Sequence, residues 1–421
     1  LIAQGARDLV IVNNNAGNGE TGLAALLKTG RVRKIICSFP RQVDSQVFDG
    51  LYRSGKLELE LVPQGNLAER IRAAGAGIGG FFTPTGYGTE LAKGKETRFL
   101  DGRWQPPEPI PEPGLVDNLV LAWKALFVKA ADARPPRDFA VRALTPAELA
   151  DAPDASLWRL GHSTLLFKLD GRFWLTDPVF GPRASPVSWA GPKRFHAPPI
   201  ALADLPPLAG VLLSHDHFDH LDEDTVRALA SRAEVFVTAP GVGERLQALG
   251  VSAAQLREPG WWQSVEAGGL RLTATPARHF SGRGLTDRNR TLWASWVLES
   301  GGRRIFFSGD TGWQADFAAI GERFGPFDLT LIECGAYDEL WPDVHLFPEQ
   351  VIAAHRDLRG RVLLPIHNGT FDLGRHGWTE PFERLSALAQ AGGVRLSTPA
   401  FGERVDLADP APGTAWWRAV R

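Results

Sequence analysis

One short stretch limits what this chain can be. LLSHDHFDHLD, residues 212–222, places His215, His217, Asp219 and His220 within six residues. The apolar run LAGVLL before it reads as a buried strand, so these side chains stand on a loop just past a strand end. His215 and His217, two apart on extended backbone, share one side. Asp219 and His220 come after the chain has begun to turn and face a second point. One loop thus suits two metal ions. Imidazole and carboxylate donors favour zinc, with iron or manganese as rivals. The bland alternative, a polar loop rich in His by chance, is weakened by the crowding itself.

Residues of the same kind recur at later strand ends. LRLTATPARHF (270–280) ends in His279, RRIFFSGDTGW (303–313) carries Asp310, and RVLLPIHNGTF (361–371) carries His367. FDLTLIECGAYDE (327–339) reads as a further strand, and DEDTVRALASR and GVGERLQALG read as helices. A lone His after a strand is more often structural than a ligand; an ordered series is harder to explain that way. Upstream, SLWRLGHSTLLFKLDGRFWLTDPVF (156–180) alternates apolar and polar residues about an Asp-Gly turn, which predicts a hairpin. His162 and Asp177 lie near its strand ends. Asp177 suits orienting a metal-bound His from behind, yet both residues equally suit satisfying local backbone.

The chain has 421 residues, more than one core usually holds, so two domains are expected. Residues 1–103 contain no His and no Trp, whereas all ten His and all fourteen Trp follow. WQPPEPIPEPG (104–114), with five prolines, reads as an extended connector between a domain at 1–103 and one at 115–421. In the first part DLVIVN, RKIICS and LELELV read as strands, alternating with helices at LAALLK, VDSQVFDGLYRSG and NLAERIRAAG. That alternation predicts a parallel α/β sheet. A Gly-, Thr- and Pro-rich loop follows at 75–96. VDNLVLAWKALFVKAADA (116–133) reads as a mostly apolar helix, packed on the next domain or lying at a lipid interface.

Net charge is −2, which argues against a nucleic-acid surface. Two distant cysteines, Cys37 and Cys334, exclude a disulfide scaffold and fit a reducing, cytoplasmic compartment. No run is long enough to span a bilayer, and no signal peptide opens the chain. It begins at Leu1 and contains no Met, so residue 1 does not read as a translation start. Trp189, Trp261, Trp262 and Trp341 suit an apolar groove for acyl chains, although core packing accounts for most Trp residues.

Two resemblances extend these readings. VPQGNLAERIRAAGAGIGGFFTPTGYGTELAKGKE resembles the A subunit of the 3-oxoacid and 3-oxoadipate CoA-transferases, over almost all of residues 1–100. The family's first strand, first helix and early Gly-Gly-Phe loop have no counterpart here. Its catalytic glutamate belongs to the other subunit, so the resemblance implies a partial domain without transferase activity of its own. The His/Asp series resembles the metallo-β-lactamase superfamily, an αββα sandwich with a dinuclear site on one edge of its sheets. The resemblance implies that His215, His217 and His279 hold one metal, that Asp219, His220 and His367 hold the other, and that Asp310 bridges.

Over about residues 115–400 the likeness narrows. GHSTLLFKLDGRFWLTDPVF, RASPVSWAGPKRFHAPPI, SHDHFDHLD, FFSGDTGW, RFGPFDL, GAYDELWPDVHLFPEQ and PIHNGTF together resemble N-acyl-phosphatidylethanolamine-hydrolysing phospholipase D and its bacterial relatives. His345 matches a family active-site histidine outside the metal shell. Asp219, Asp310 and His345 are thereby implied as catalytic, with two Zn(2+) and a bridging hydroxide. Glu333, Cys334, Asp338 and Glu339 stand where the animal enzyme is less acidic and carries an Arg. The expectation is a zinc phosphodiesterase acting on a lipid or smaller diester, with no nucleic-acid partner, peripheral membrane contact and a homodimer. Two rivals remain: a lactone or amide hydrolase on the same site, and a module whose N-terminal part assembles with the B chain of a CoA-transferase.

Overall fold

Alternating strand and helix in the first hundred residues build a parallel sheet, because each helix carries the chain back to the same end. A computed structural model describes residues 2–75, 103–106, 108, 110, 123–124, 128–137, 139, 141–284 and 286–420. Its contacts divide the chain into two units, Leu1–Arg98 and Phe99–Arg421. In the first, β1 (Leu9–Val12), β2 (Val32–Cys37) and β3 (Glu58–Leu61) pair in parallel in that order. Helices α1 (Gly22–Lys28) and α2 (Gln46–Arg53) make the crossovers, and α3 (Gln64–Gly75) follows. Leu26, Leu27, Ile35, Cys37 and Phe48 form its small core. The Gly-rich loop expected at 75–96 lies outside the described residues apart from Gly75.

The second unit begins with α4 (Pro146–Asp151), whose start is closed by a capping box between Thr145 and Glu148. Then come β4 (Ser156–Arg159), β5 (Leu165–Leu169), β6 (Arg172–Thr176), β7 (Leu208–Leu212), β8 (Phe236–Val237) and β9 (Leu256–Arg257). These join β16 (Arg404–Asp406) in a sheet of order β16-β4-β5-β6-β7-β8-β9. The β5–β6 turn has positive φ at both Asp170 (51°) and Gly171 (71°), the geometry that an Asp-Gly pair supplies cheaply.

A second sheet holds β10 (Ser264–Ala267), β11 (Leu270–Thr275), β12 (Ser295–Ser300), β13 (Arg303–Phe307), β14 (Leu329–Glu333) and β15 (Leu363–Ile366), in sequence order. The two sheets share one core, to which Leu157, Phe167, Trp174, Leu212, Trp296, Phe307, Leu331 and Leu364 contribute. Helices α5 (Glu223–Leu229) and α6 (Val242–Ala248) cover the outer face of the first sheet through Val226, Leu229 and Leu246. The outer face of the second is covered by α7 (Asp316–Phe324), α8 (Pro348–Asp357) and α9 (Glu380–Gly392) through Phe317, Val351 and Leu385. The layers are therefore helix, sheet, sheet, helix, as the resemblance implies.

The described part of the proline-rich run lies on this second unit. Trp104 packs against the shared core and its N–H donates to the Asn289 carbonyl at 2.7 Å. The helix expected over 116–133 falls mostly outside the described residues; Trp123 and Lys124 are helical, whereas 128–133 is not. Asp132 accepts there from the Trp378 backbone, and Lys129 reaches the buried Asp372 at 2.5 Å.

A large ring in the shared core is accommodated beside a glycine of the neighbouring strand. Trp174 of β6 pairs in register with Gly210 of β7, and its indole donates to the Gly268 carbonyl of the β10–β11 turn at 3.2 Å. A Cβ on Gly210 would stand 2.4 Å from the Trp174 ring. Gly210→Val should therefore cost about 1–3 kcal/mol of stability through overpacking. Urea unfolding of the variant beside the native chain reads this directly, and an unchanged midpoint would contradict the packing described.

Candidate metal centre

Every side chain of the centre stands at the same end of a strand. The loop after β7 delivers His215, His217, Asp219 and His220; the segment after β11 delivers His279; the turns after β13 and β15 deliver Asp310 and His367. Two groups result. His215, His217, His279 and Asp310 bring ligand atoms within 4.8 Å of one another, as do His162, Asp219, His220 and His367. In the first, His217 Nδ1 lies 2.9 Å from His215 Nε2 and 3.3 Å from His279 Nε2. In the second, Asp219 Oδ2 lies 3.1 Å from His367 Nε2 and 3.5 Å from His220 Nε2.

Asp310 spans both groups. Its Oδ2 is 3.8 Å from His215 Nε2 and 3.7 Å from His279 Nε2. Its Oδ1 is 3.1 Å from His220 Nε2 and 3.0 Å from His367 Nε2. The structure thus brings together all seven ligand residues expected from the sequence. Their chemistry fits divalent cations: His220 Nε2 and Asp310 Oδ1 are buried with no hydrogen-bond partner, a costly state unless a cation shares them.

Backbone and polar groups behind the ligands fix their orientation. Asp177, at φ 34°, accepts from the Ser214 N–H at 2.7 Å, the Ser214 hydroxyl at 2.6 Å and His220 Nδ1 at 2.6 Å. The carboxylate therefore fixes the His220 ring from behind. His279 Nδ1 faces the Val344 carbonyl at 3.0 Å. His367 sits at φ 62°, a left-handed conformation that a non-glycine residue holds only where its surroundings demand it. Asp216, inside the same His-rich loop, faces away: its carboxylate takes the Gly282 N–H at 2.9 Å and the Thr291 hydroxyl at 3.0 Å. It ties the loop to the segment that carries His279.

Charge follows from this packing. Burial pushes the pKa of His215, His217 and His279 down, which leaves their ring lone pairs available. Burial opposes charge on His220 and His367 too, but Asp310 and Asp219 override it. They hold His220 well above its ordinary value and raise His367 to about 9. Burial would likewise raise Asp219 and Asp310, yet His220 and the neighbouring imidazoles hold both well below the usual carboxylate range. A cation entering here must displace imidazole protons. Calorimetric titration of metal-free protein with a divalent cation, near pH 7 in buffers of different ionisation enthalpy, should register release of about two protons, shrinking as pH rises past about 9. Buffer-independent heats would contradict it.

His162 has a clearer part than its sequence context suggested. Burial, then the charge of His367, lowers its pKa to about 3, so the ring is neutral. Its Nδ1 is buried without a hydrogen-bond partner, and a proton there would be an orphaned donor. The proton therefore sits on Nε2, 3.2 Å from Asp219 Oδ2, and holds that carboxylate in place. His162→Ala should weaken cation binding at the Asp219 group about 10–100-fold and spare binding at the His215 group. Competition with a chromophoric chelator separates the two affinities, and equal weakening of both would refute this role.

Comparison with known proteins agrees with this geometry. Residues 172–368 match the model of the Beta-lactamase superfamily domain. The chain is 39% identical over 246 residues to N-acyl-phosphatidylethanolamine-hydrolyzing phospholipase D 1 of Caenorhabditis elegans, covering 55% of this chain and 69% of that one. This chain belongs to the metallo-β-lactamase superfamily. As a member, it is a metal-dependent hydrolase built for a divalent cation. A possible metal-dependent hydrolase from Veillonella parvula shares the fold at 16% identity and a TM-score of 0.50, over 60% of this chain and all of that one.

Residues 1–105 separately match the Coenzyme A transferase family. Over 103 residues they are 77% identical to the A subunit of 3-oxoadipate CoA-transferase from Pseudomonas putida, a match spanning 24% of this chain and 45% of that relative. The two family matches thus fall on different stretches of the chain, residues 1–105 and 172–368.

Two features of this superfamily member were poorly legible in the sequence. His162 was visible only as a His beside a strand end. Glu333, the last residue of β14, is fully buried beside His345, and its place in the centre had no local signal beyond ending a strand. Its neighbour Cys334 is no nucleophile, because burial and the Glu333 charge push its thiol well up.

Proposed function

We propose that this protein is a dinuclear zinc phosphodiesterase of the phospholipase D type, acting on a lipid phosphodiester. The observation that carries the reading is the split of Asp310, one oxygen toward each histidine group, which suits a bridge between two cations. His215, His217, His279 and Asp310 would hold one zinc ion, and Asp219, His220, His367 and Asp310 the other. Bound there, such a pair supplies an acidified water near neutral pH and neutralises charge developing on the phosphate.

The chain's own residues do the rest. His345 reaches the same space, grouped with Asp310 and His367 within 4.8 Å. Its free ring nitrogen takes a proton from the water that adds to phosphorus and gives that proton to the leaving oxygen as the P–O bond breaks. Asp310, buried, and Asp219, partly buried, keep the imidazoles on either side in register.

Kinship to the nematode phospholipase supports a lipid substrate. Among the described residues no helix is long and apolar enough to cross a membrane. Trp189, 79% exposed on a loop with the exposed Lys193, supports peripheral contact with a lipid surface. The other three Trp residues are partly buried: Trp261 donates to the Trp293 carbonyl at 2.7 Å and Trp341 to that of Ala336 at 2.7 Å, while Trp262 packs on the α7–α9 core. Among the acidic residues in place of the animal sequence, Asp338 is held by Arg375 at 2.7 and 2.8 Å, which removes it from headgroup recognition.

The reading is tested with zinc-loaded protein on a panel of phosphodiesters and lactones, native against Asp310→Asn. We expect diester turnover in the native chain and a fall of about 10³-fold or more in the variant, with the loss of at least one metal by elemental analysis. Lactone turnover alone would favour the rival hydrolase, and a variant with both metals and full rate would end the bridging assignment.

A further inference from the structure

The metal ligands leave one buried carboxylate of the centre unused. Glu333 ends β14 with no exposed surface. Its backbone N–H donates to the Ser308 hydroxyl at 3.0 Å, which pins the strand end between its neighbours. One side-chain oxygen, Oε1, accepts the Leu346 N–H at 2.6 Å and lies 3.3 Å from His345 Nδ1. The other, Oε2, is buried with no hydrogen-bond partner. A carboxylate so placed is expensive: one backbone donor does not offset its desolvation. Among the described residues, the partners of this side chain are the Leu346 N–H and the His345 ring. An imidazole beside it is the one feature that explains it.

His345 stands between the two groups. Its ring centroid is 5.3 Å from that of His279, in one group, and 5.3 Å from that of His367, in the other. Its side chain is 12% exposed, close to the 14% of Asp219, whereas those of His215, His220, His279 and His367 are 0–1% exposed. The ring therefore stands where the centre opens. It follows a bend, Asp338–Val344, and has no strand or helix of its own to hold it.

We infer that Glu333 is a positioning residue, which fixes the ring and tautomer of His345 so that Nε2 faces the reacting group. A carboxylate at Nδ1 keeps the proton on that nitrogen and blocks rotation of the ring. Nε2 is then the nitrogen directed to the leaving oxygen. The inference deepens the function proposed above and rests on it for the meaning of the proton transfer, but not for the geometry.

The test uses the full chain loaded with zinc, as native protein, Glu333→Ala and Glu333→Gln, each first checked for two metals per chain by elemental analysis. Long-range proton–nitrogen NMR of histidine-labelled protein reads the tautomer, with the His345 signals assigned by their loss in His345→Gln. We expect the Nδ1–H form in the native chain and in Glu333→Gln, whose amide oxygen still accepts, and loss of that form in Glu333→Ala.

Turnover is read on two diesters. In N-acyl phosphatidylethanolamine micelles the leaving group needs a proton; in bis(4-nitrophenyl) phosphate it does not. Glu333→Ala should lose about 10²-fold in kcat on the lipid with little change in KM, and under fivefold on the nitrophenyl diester. Glu333→Gln, which keeps the volume and the Leu346 bond but not the charge, should lose about tenfold on the lipid alone. It keeps the inference open to refutation should the alanine variant fail to fold. Equal losses on both diesters, or an unchanged His345 tautomer in Glu333→Ala, would overturn the inference. Hydrolysis of neither diester by the native chain would instead remove the proposed function, while the tautomer would still decide what Glu333 does.

Discussion

The Asp310 carboxylate is the hinge of this structure. Four imidazole nitrogens from three separate segments lie within 3.0–3.8 Å of its two oxygens, and almost no water reaches them. Two of these imidazoles, His220 and His367, are held in the charged form, and positive groups so close repel one another strongly once water is excluded. A single buried anion with an oxygen on each side makes the arrangement tolerable, and Asp219 repeats the device within the second group. Remove that charge and two clusters have no reason to share one edge.

The scaffold explains why the anion can sit there. Two sheets share one apolar core, so their strands are held rigidly, and the same ends of β7, β13, β14 and β15 face one another across it. Loops at those ends are short and backed by buried polar groups: Asp177 under His220, Val344 under His279, and the buried Arg159 guanidinium at 2.5 Å from the Asn368 carbonyl beneath His367. Strain at Asp177 and His367 is accepted in return for orientation. Precision at the centre thus comes from the layer beneath it as much as from the donors themselves.

The first unit stands apart from this chemistry. Its parallel sheet follows from alternating strand and helix signals, and its likeness to a CoA-transferase chain spans under half of that chain's length. It contains no histidine, and its cysteine, Cys37, is buried in the small core. None of the residues gathered at the metal centre comes from it.

What the sequence determined by itself was the kind of chemistry and most of its donors. Spacing within residues 215–220 separates two directions before any fold is known, because extended backbone repeats every two residues and the turn after His217 breaks that repeat. Strand patterns placed His279, Asp310 and His367 at element ends, and an Asp-Gly pair announced its hairpin. Other facts belonged to tertiary structure alone. Only the stacking of two sheets shows that Asp310 has one oxygen for each group. Only the packing beneath β6 turns Asp177 toward His220 and Asp216 away from the centre. Glu333 and His345 lie twelve residues apart, across a bend that no periodicity predicts, and the tautomer of His162 depends on which of its nitrogens the fold left without a partner. Local pattern limits where a side chain starts, whereas burial and the neighbours brought from elsewhere decide what it meets.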